Sequence, residues 1–337
     1  MKTITSDSRQ TQKRLPRILV LVGPTGVGKT RVSLEIARRL PVEIVSADSR
    51  QIYRFMDIGT DKPPIEVRRK VPHHFIDILN PDQEYSAGQF AKDARKVILQ
   101  ILSRNRVPLV VGGSGLYIRA LLEGFLGKDY RDEQLRQQLM QRVENEGEEV
   151  LYQELQRRDP ETAAGIHPHN IKRVLRALEI IYLSGRPVSE IRRIQKDPAP
   201  FVGVKFGLTM ERQTLYEQIN DRVEQMFDQG LVEEVRRVLA RGYSPRLNAL
   251  NTVGYREVVD FLEEKIDLYT CVERVKQNTR RYAKRQYTWF RAEPDIRWLT
   301  LEHPDDVSLV AQKIVAMYLK EVDAEFRKRI AKTEEPL

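Results

Sequence analysis

The sequence predicts an α/β fold: a parallel sheet flanked by helices, with an all-α inserted domain. Three observations predict it. Short, wholly apolar runs alternate with segments of helical period. A glycine-rich loop joins the first such run to the first such segment. After Gly124 the composition turns charged and helical in period, and stays so to about Pro200.

RILVLV (Arg17–Val22) is apolar, rich in β-branched residues and closed by a glycine, so it reads as a buried parallel strand. TRVSLEIARRL follows, with Val32, Ile36 and Leu40 at helical spacing. VEIVSAD (Val42–Asp48), HFIDIL (His74–Leu79) and VPLVVGG (Val107–Gly113) are expected as the next strands. A helix from about Ser86 to Arg104 lies between the last two, with Phe90, Ala94, Val97, Ile98 and Ile101 on one face. Turns are expected in the charged stretch at Gly147, Asp159–Pro160 and Gly185–Pro187. Val202–Met210 is a fifth strand returning to the sheet. Helices over Gln213–Arg241 and Tyr269–Phe290, a short strand near Ile296–Leu301 and a charged helix complete the pattern. The expected organisation is a disordered tail over 1–16, an α/β core over 17–124 and 201–337, and a helical insertion over 125–200.

The 337 residues suffice for a sizeable core, so no disulfide scaffold is needed. A lone cysteine, Cys271, fits a reducing compartment and excludes a thiolate zinc site, so a cytoplasmic location is expected. Its helical spacing with Val275 suits a small buried residue. No apolar run approaches the ~20 residues of a membrane span, and no membrane association is expected. The first residues have no apolar signal-peptide core. Their Ser, Thr and Arg content suits an organellar transit peptide, but the segment is short and carries Asp7.

Lys and Arg number 57 against 48 acidic residues, a net charge of +9, which favours a polyanionic partner. From Pro168 to Lys196 there are seven basic residues and two acidic; Asn278–Arg291 has five basic and none acidic. Either run alone reads as a solvated helix face. In the second, Tyr282, Tyr287, Trp289 and Phe290 are interleaved with the charges, which suits a nucleic-acid surface or inward packing equally.

GPTGVGKT (Gly23, Pro24, Thr25, Gly26, Val27, Gly28, Lys29, Thr30) fits G-x-x-x-x-G-K-[ST] between a strand and a helix, the context of a P-loop NTPase-like core. The glycines let successive amides turn inward, Lys29 adds a cation, and the Thr30 hydroxyl suits Mg²⁺. The motif specifies a bound di- or triphosphate, without saying whether it is transferred, hydrolysed or expelled. Asp48 follows the second strand, beside the loop. There an aspartate can serve a small-molecule kinase as metal ligand, or a transferase as base. No strand ends in the apolar-run-plus-Asp form of an ATPase metal site, which argues against a motor or switch NTPase.

From Arg17 to about Leu301 the sequence resembles the tRNA dimethylallyltransferase (tRNA isopentenyltransferase) family. Seven blocks carry the resemblance in order: GPTGVGKT, DSRQIYRFMDIGTDKP (Asp48–Pro63), PHHFIDIL with YSAGQF (Pro72–Phe90), PLVVGGSGLYIRALLEG (Pro108–Gly124), RVLRALE (Arg173–Glu179), VGYRE (Val253–Glu257) and TRRYAKRQYTWFR (Thr279–Arg291). The resemblance implies transfer of a dimethylallyl group from its diphosphate to the exocyclic N6 amine of the adenosine 3′ of the anticodon (position 37), in tRNAs reading codons that begin with U. It implies Asp48 as general base, with Arg222 and Thr25 at the reacting centre, the loop Gly23–Thr30 on the diphosphate, and Mg²⁺ near Thr30. By the same resemblance, Asp48, Ser49, Arg50 and Gln51 hold the flipped adenine region. Ser114, Arg136, Lys172, Arg173, Val174, Leu175, Arg176, Asn251, Thr252, Val253, Gly254, Tyr255 and Arg256 contact the anticodon stem-loop, with the helical insertion against the RNA. A monomer is expected. The sequence departs from the commoner family pattern in its loop, where T-A-S-G-K-T is usual, at Ser114, where Thr is, and at Lys172, where Gln is. It shows no C-terminal zinc finger of the eukaryotic type, so a bacterial-type enzyme is expected. Alternatives are prenylation of free adenylate, a small-molecule kinase, and a non-catalytic RNA-binding protein. His73–His74 and His167–His169 lack further ligands at zinc spacing and are expected in structural or surface roles.

Overall fold

The computed structural model describes residues 15–124, 130–194, 197–303 and 306–333. The expected N-terminal tail falls almost wholly outside them, as do residues 125–129 and 195–196 of the expected insertion.

The six strands β1 (Arg17–Val22), β2 (Val42–Ser46), β3 (His73–His74), β4 (Val107–Gly112), β5 (Val202–Thr209) and β6 (Arg297–Thr300) form one sheet in the order β3-β2-β4-β1-β5-β6. Every pairing is parallel. Central β1 is covered on both faces, which is why its sequence is continuously apolar: Ile18, Leu19, Val20 and Leu21 are fully buried. Each such side chain contributes roughly 1.5–3 kcal/mol relative to exposure. Because the strands are parallel, the segments after β1, β2 and β4 emerge at one edge of the sheet, the usual place for a ligand.

Two strands differ from expectation. The third is only His73–His74, because Phe75 (φ 66°) and Asp77 (φ 57°) take left-handed backbone that no strand continues. Its distal end returns as an isolated bridge between Tyr53 and Leu79. The second stops at Ser46, so Asp48 lies in the loop beyond it.

Around the sheet lie α1 (Lys29–Ala37), α2 (Ile65–Lys70), α3 (Ala87–Ser103) and α4 (Gly115–Glu123). The insertion holds α5 (Glu133–Glu146), α6 (Glu148–Arg158), α7 (Pro160–Ala164), α8 (Ile171–Ser184) and α9 (Val188–Ile194). Next come α10 (Arg212–Asp228), α11 (Leu231–Ala240), α12 (Tyr255–Leu262), α13 (Leu268–Arg291), α14 (Val307–Glu321) and α15 (Ala324–Ala331). The helix expected over Gln213–Arg241 is two, α10 and α11, broken at Gly230, whose φ of 93° suits glycine and interrupts the helical ladder. Helices α2, α4 and α12 have no counterpart among the elements expected from the sequence.

Helix α10 is held in two cores. Leu215 and Ile219 pack into the sheet core with Val32, Ile36, Ile314 and Tyr318. Val223 and Met226 pack into a second core with Val235, Tyr255, Val258, Cys271 and Val275. The Tyr318 hydroxyl donates to the Arg17 carbonyl at 2.8 Å, fastening α14 to the start of β1.

The described chain divides into two compact units: residues up to Ser86 with Lys92–Ile118 and Pro200 onward, and Ala87–Ala91 with Arg119–Ala199. The second has its own core, including Leu139, Leu151, Leu155, Val174, Leu178 and Ile181. Its turns fall where the sequence places them. Gly147 (φ 90°) caps α5, Asp159 accepts the Thr162 amide at the head of α7, and Gly185 (φ 69°) ends α8.

Candidate active site

The phosphate loop curls from the end of β1 into α1. Gly28 (φ 92°) is the N-cap of α1, and Gly26 (φ 83°) meets α10 so closely that an added Cβ would lie 2.8 Å from Ile219 Cγ1. The Lys29 ammonium reaches back across the loop and donates to the carbonyls of Gly23 (3.0 Å) and Pro24 (2.7 Å). Burial lowers its pKa to about 8, partly offset by the charge of Asp48; Arg222 lowers it further. Lys29 therefore loses its charge as pH rises through about 8. Affinity for inorganic diphosphate, measured by calorimetry between about pH 6 and about pH 9, should fall with rising pH more steeply in the wild type than in Lys29→Met. Diphosphate's own titration cancels in that comparison, and parallel curves would contradict the assignment.

Asp48 is oriented by its own loop: Oδ1 accepts the amides of Arg50 (2.8 Å) and Gln51 (3.4 Å). Ser114, beyond β4, ties this loop down, its hydroxyl accepting the Ser49 amide at 3.1 Å while its amide donates to the Ala47 carbonyl at 3.2 Å. Gly112 is obligatory here, since a Cβ would lie 2.1 Å from the Ala47 oxygen. The Arg50 guanidinium donates to the Asn248 carbonyl at 2.7 Å. Gln51 donates to the carbonyls of Thr60 and Asp61.

Arg222 comes from α10. Its Nη2 donates to Thr25 Oγ1 at 2.8 Å and its Nη1 pairs with Asp61 at 2.9 Å, so the loop and the Gly59–Asp61 segment are joined through one guanidinium.

These residues surround a cavity of ≈ 340 Å³. Thr25, Asp48, Ser49 and Arg50 line one side, with Gly59, Thr60 and Asp61 beside them. Arg222 and Met226 of α10 and Val275, Thr279, Tyr282 and Arg285 of α13 line the rest, closed by Asn251–Gly254. Burial pushes the Tyr282 phenol up to about 12, so it is neutral at physiological pH. A smaller cavity of ≈ 50 Å³ under the loop is lined by Lys29, Thr30, Ser46, Asp48 and Gln51 among others. Asp48 borders both.

The structure thus brings together Thr25, Asp48, Ser49, Arg50, Arg222 and Asn251–Gly254 around one cavity, and Lys29, Thr30 and Gln51 at its neighbour. Arg136, Lys172, Arg173, Val174, Leu175 and Arg176 lie in the other unit, the first three exposed. Three residues depart from the expected RNA surface. Val174 and Tyr255 are fully buried, so neither side chain is open to an RNA, and the Tyr255 hydroxyl donates to Glu234 at 2.6 Å. Arg176 is turned onto Glu179 (2.7 Å) and the Tyr130 carbonyl, ties internal to its unit. Arg256 remains half-exposed beside Glu257.

His74 hydrogen-bonds Glu43 at 2.8 Å and His73 the Val71 carbonyl at 2.7 Å, structural roles as expected. Cys271 is buried in the second core, where burial pushes its thiol up to about 12. Asp61, Thr279, Arg285 and Gln286 are not among the site residues expected from the sequence. Gln286 lies within TRRYAKRQYTWFR (Thr279–Arg291), an uncharged polar residue amid arginines and aromatics.

A family model described as IPP transferase matches residues 51–293. The chain belongs to the IPP transferase family. This transferase is 47% identical over 298 residues, 88% of its chain and 95% of the relative, to a tRNA dimethylallyltransferase of Pelotomaculum thermopropionicum. It is 43% identical over 330 residues to one of Natranaerobius thermophilus, covering 95% of this chain and 99% of that one. Among solved structures it is similar to the full-length tRNA isopentenylpyrophosphate transferase of Bacillus halodurans (39% identity, TM-score 0.67, 91% of this chain and 98% of that one). It is also similar to a eukaryotic dimethylallyltransferase acting on tRNA (28% identity, TM-score 0.78, 91% and 80%).

Proposed function

We infer that this transferase is a tRNA dimethylallyltransferase. It moves the dimethylallyl group of dimethylallyl diphosphate to the exocyclic N6 amine of the adenosine 3′ of the anticodon, in tRNAs reading codons that begin with U. The products are N6-dimethylallyladenosine and diphosphate. It acts as a monomer in the cytosol. One observation carries this reading: Asp48 lies on the wall shared by the phosphate-loop cavity and the larger cavity, so one carboxylate faces donor and acceptor together.

The adenine amine is a weak nucleophile because its lone pair is delocalised into the ring. As N6 attacks the allylic carbon, the carbon–oxygen bond to diphosphate breaks, and Asp48 takes the amine proton. The Arg50 and Gln51 amides engage Oδ1, which leaves Oδ2 as the accepting atom. Negative charge builds on the departing diphosphate, where Lys29, the inward loop amides and Arg222 stabilise it. Around the smaller cavity, the Thr30 and Ser46 hydroxyls are oxygen donors of the kind that suits a hard cation, with the Asp48 carboxylate left free as base. The two hydroxyls would hold Mg²⁺, which when bound supplies further positive charge to the leaving group.

The acceptor adenine leaves its stack to reach the cavity, at an unstacking cost of about a few kcal/mol. Arg285 and the Tyr282 ring on the cavity wall suit a base and its phosphate, and the exposed Arg136, Lys172 and Arg173 suit the backbone of the anticodon arm. An anticodon stem-loop and AMP, compared as acceptors from labelled dimethylallyl diphosphate, test the reading. Turnover of the stem-loop is expected and turnover of AMP is not; preference for AMP would make the protein an adenylate dimethylallyltransferase.

A further inference from the structure

Gln286 sits on α13 one residue beyond Arg285, which lines the cavity, and is itself buried. Its side-chain oxygen accepts the backbone amide of Thr25 at 2.8 Å, and its side-chain nitrogen donates to the Gly113 carbonyl at 3.0 Å. One amide group therefore bridges the phosphate loop after β1 and the glycine turn after β4. Its approach to the turn is so close that a Cβ on Gly113 would lie 2.1 Å from the amide nitrogen.

We propose that Gln286 is a positioning residue for the transfer. It sets the depth of Thr25, and through Thr25 that of Arg222, against the reacting carbon. It also takes the Thr25 amide out of the set of loop donors free for the diphosphate. The bridge needs an acceptor toward Thr25 and a donor toward Gly113, which an amide supplies and a carboxylate does not. A protonated carboxyl supplies both. This role rests on the prenyl-transfer reading above; the Thr25–Arg222 hydrogen bond extends the chain of contacts from α13 to α10.

The experiment measures steady-state prenylation of an anticodon stem-loop with wild type, Gln286→Ala, Gly113→Ala, the double variant and Gln286→Glu, with melting temperatures alongside. In folded Gln286→Ala, kcat should fall on the order of 10²-fold, the effect of a small misplacement at a reacting centre, with KM for the stem-loop nearly unchanged. Gly113→Ala should lower kcat similarly. The double variant should be no slower than Gln286→Ala, because the displaced group is then gone. Gln286→Glu should be slow at neutral pH and regain activity relative to wild type as pH falls and its carboxyl protonates. A folded Gln286→Ala with wild-type kcat, additive losses in the double variant, or a Gln286→Glu whose deficit is independent of pH would each overturn the proposal. Variants that fail to fold at any pH would overturn it too, making the residue part of the core instead. A wild type inactive on the stem-loop would refute the functional reading itself, a result distinct from all of these.

Discussion

Replacing Asp48 by alanine is expected to lower kcat for prenyl transfer by about 10²–10⁴-fold, the usual contribution of a positioned base. Among the described residues, the carboxylate's hydrogen-bond partners are the Arg50 and Gln51 amides within its own loop. The loop itself is anchored elsewhere, by Ser114 on Ser49 and by Arg50 on the Asn248 carbonyl. Losing the carboxylate should therefore leave the loop in place and tRNA affinity within a few fold. The measurements are single-turnover prenylation and filter binding of the stem-loop. An alanine variant as fast as wild type would remove Asp48 as the base, and a large loss of tRNA affinity would make its role one of binding.

Arg222→Gln is expected to lower kcat by about 10²–10³-fold, the range for removing one charged donor from a site of developing charge. The guanidinium hydrogen-bonds Thr25 and pairs with Asp61, and in the proposed reaction it also supplies charge to the departing diphosphate. Glutamine retains hydrogen-bonding capacity but no charge, so the loss reports chiefly on charge. Because Asp61 is half-exposed, Asp61→Asn should cost far less. Since Arg222 also lowers the Lys29 pKa, the variant's diphosphate affinity should persist to higher pH than in wild type. Equal losses from Arg222→Gln and Asp61→Asn would mean that the pair itself, rather than charge on the leaving group, is what the reaction needs.

What was legible in the sequence was what local pattern encodes. The buried strands show as apolar runs, the loop Gly23–Thr30 as glycines and a lysine at fixed spacing, and Asp48 as a carboxylate just past a strand. The third strand misled because HFIDIL has strand composition, while the left-handed residues Phe75 and Asp77 are set by tertiary ties: the Asp77 carboxylate is held by Lys62 and Arg68. The break between α10 and α11 was marked only by a single glycine within a long helical period. Arg222 was reached through family resemblance, since nothing in QINDRVEQM distinguishes that arginine from a surface one. Gln286 and Asp61 lie within family-like blocks, but nothing in the local pattern marks what they do. Their partners are 261 and 161 residues away, and only folding brings them together. Tyr255, read as part of an RNA-contacting block, is instead a core residue, because the amphipathic face of α12 turns it onto Glu234.

The most direct test of prenyl transfer across Asp48 is mass spectrometry of the nucleosides from unmodified tRNA incubated with the enzyme, Mg²⁺ and dimethylallyl diphosphate. The expected result is N6-dimethylallyladenosine at the position 3′ of the anticodon in tRNAs reading codons that begin with U, formed by the wild type and not by Asp48→Ala. Unmodified adenosine with wild-type enzyme, or a phosphorylated product when ATP replaces the prenyl donor, would contradict it.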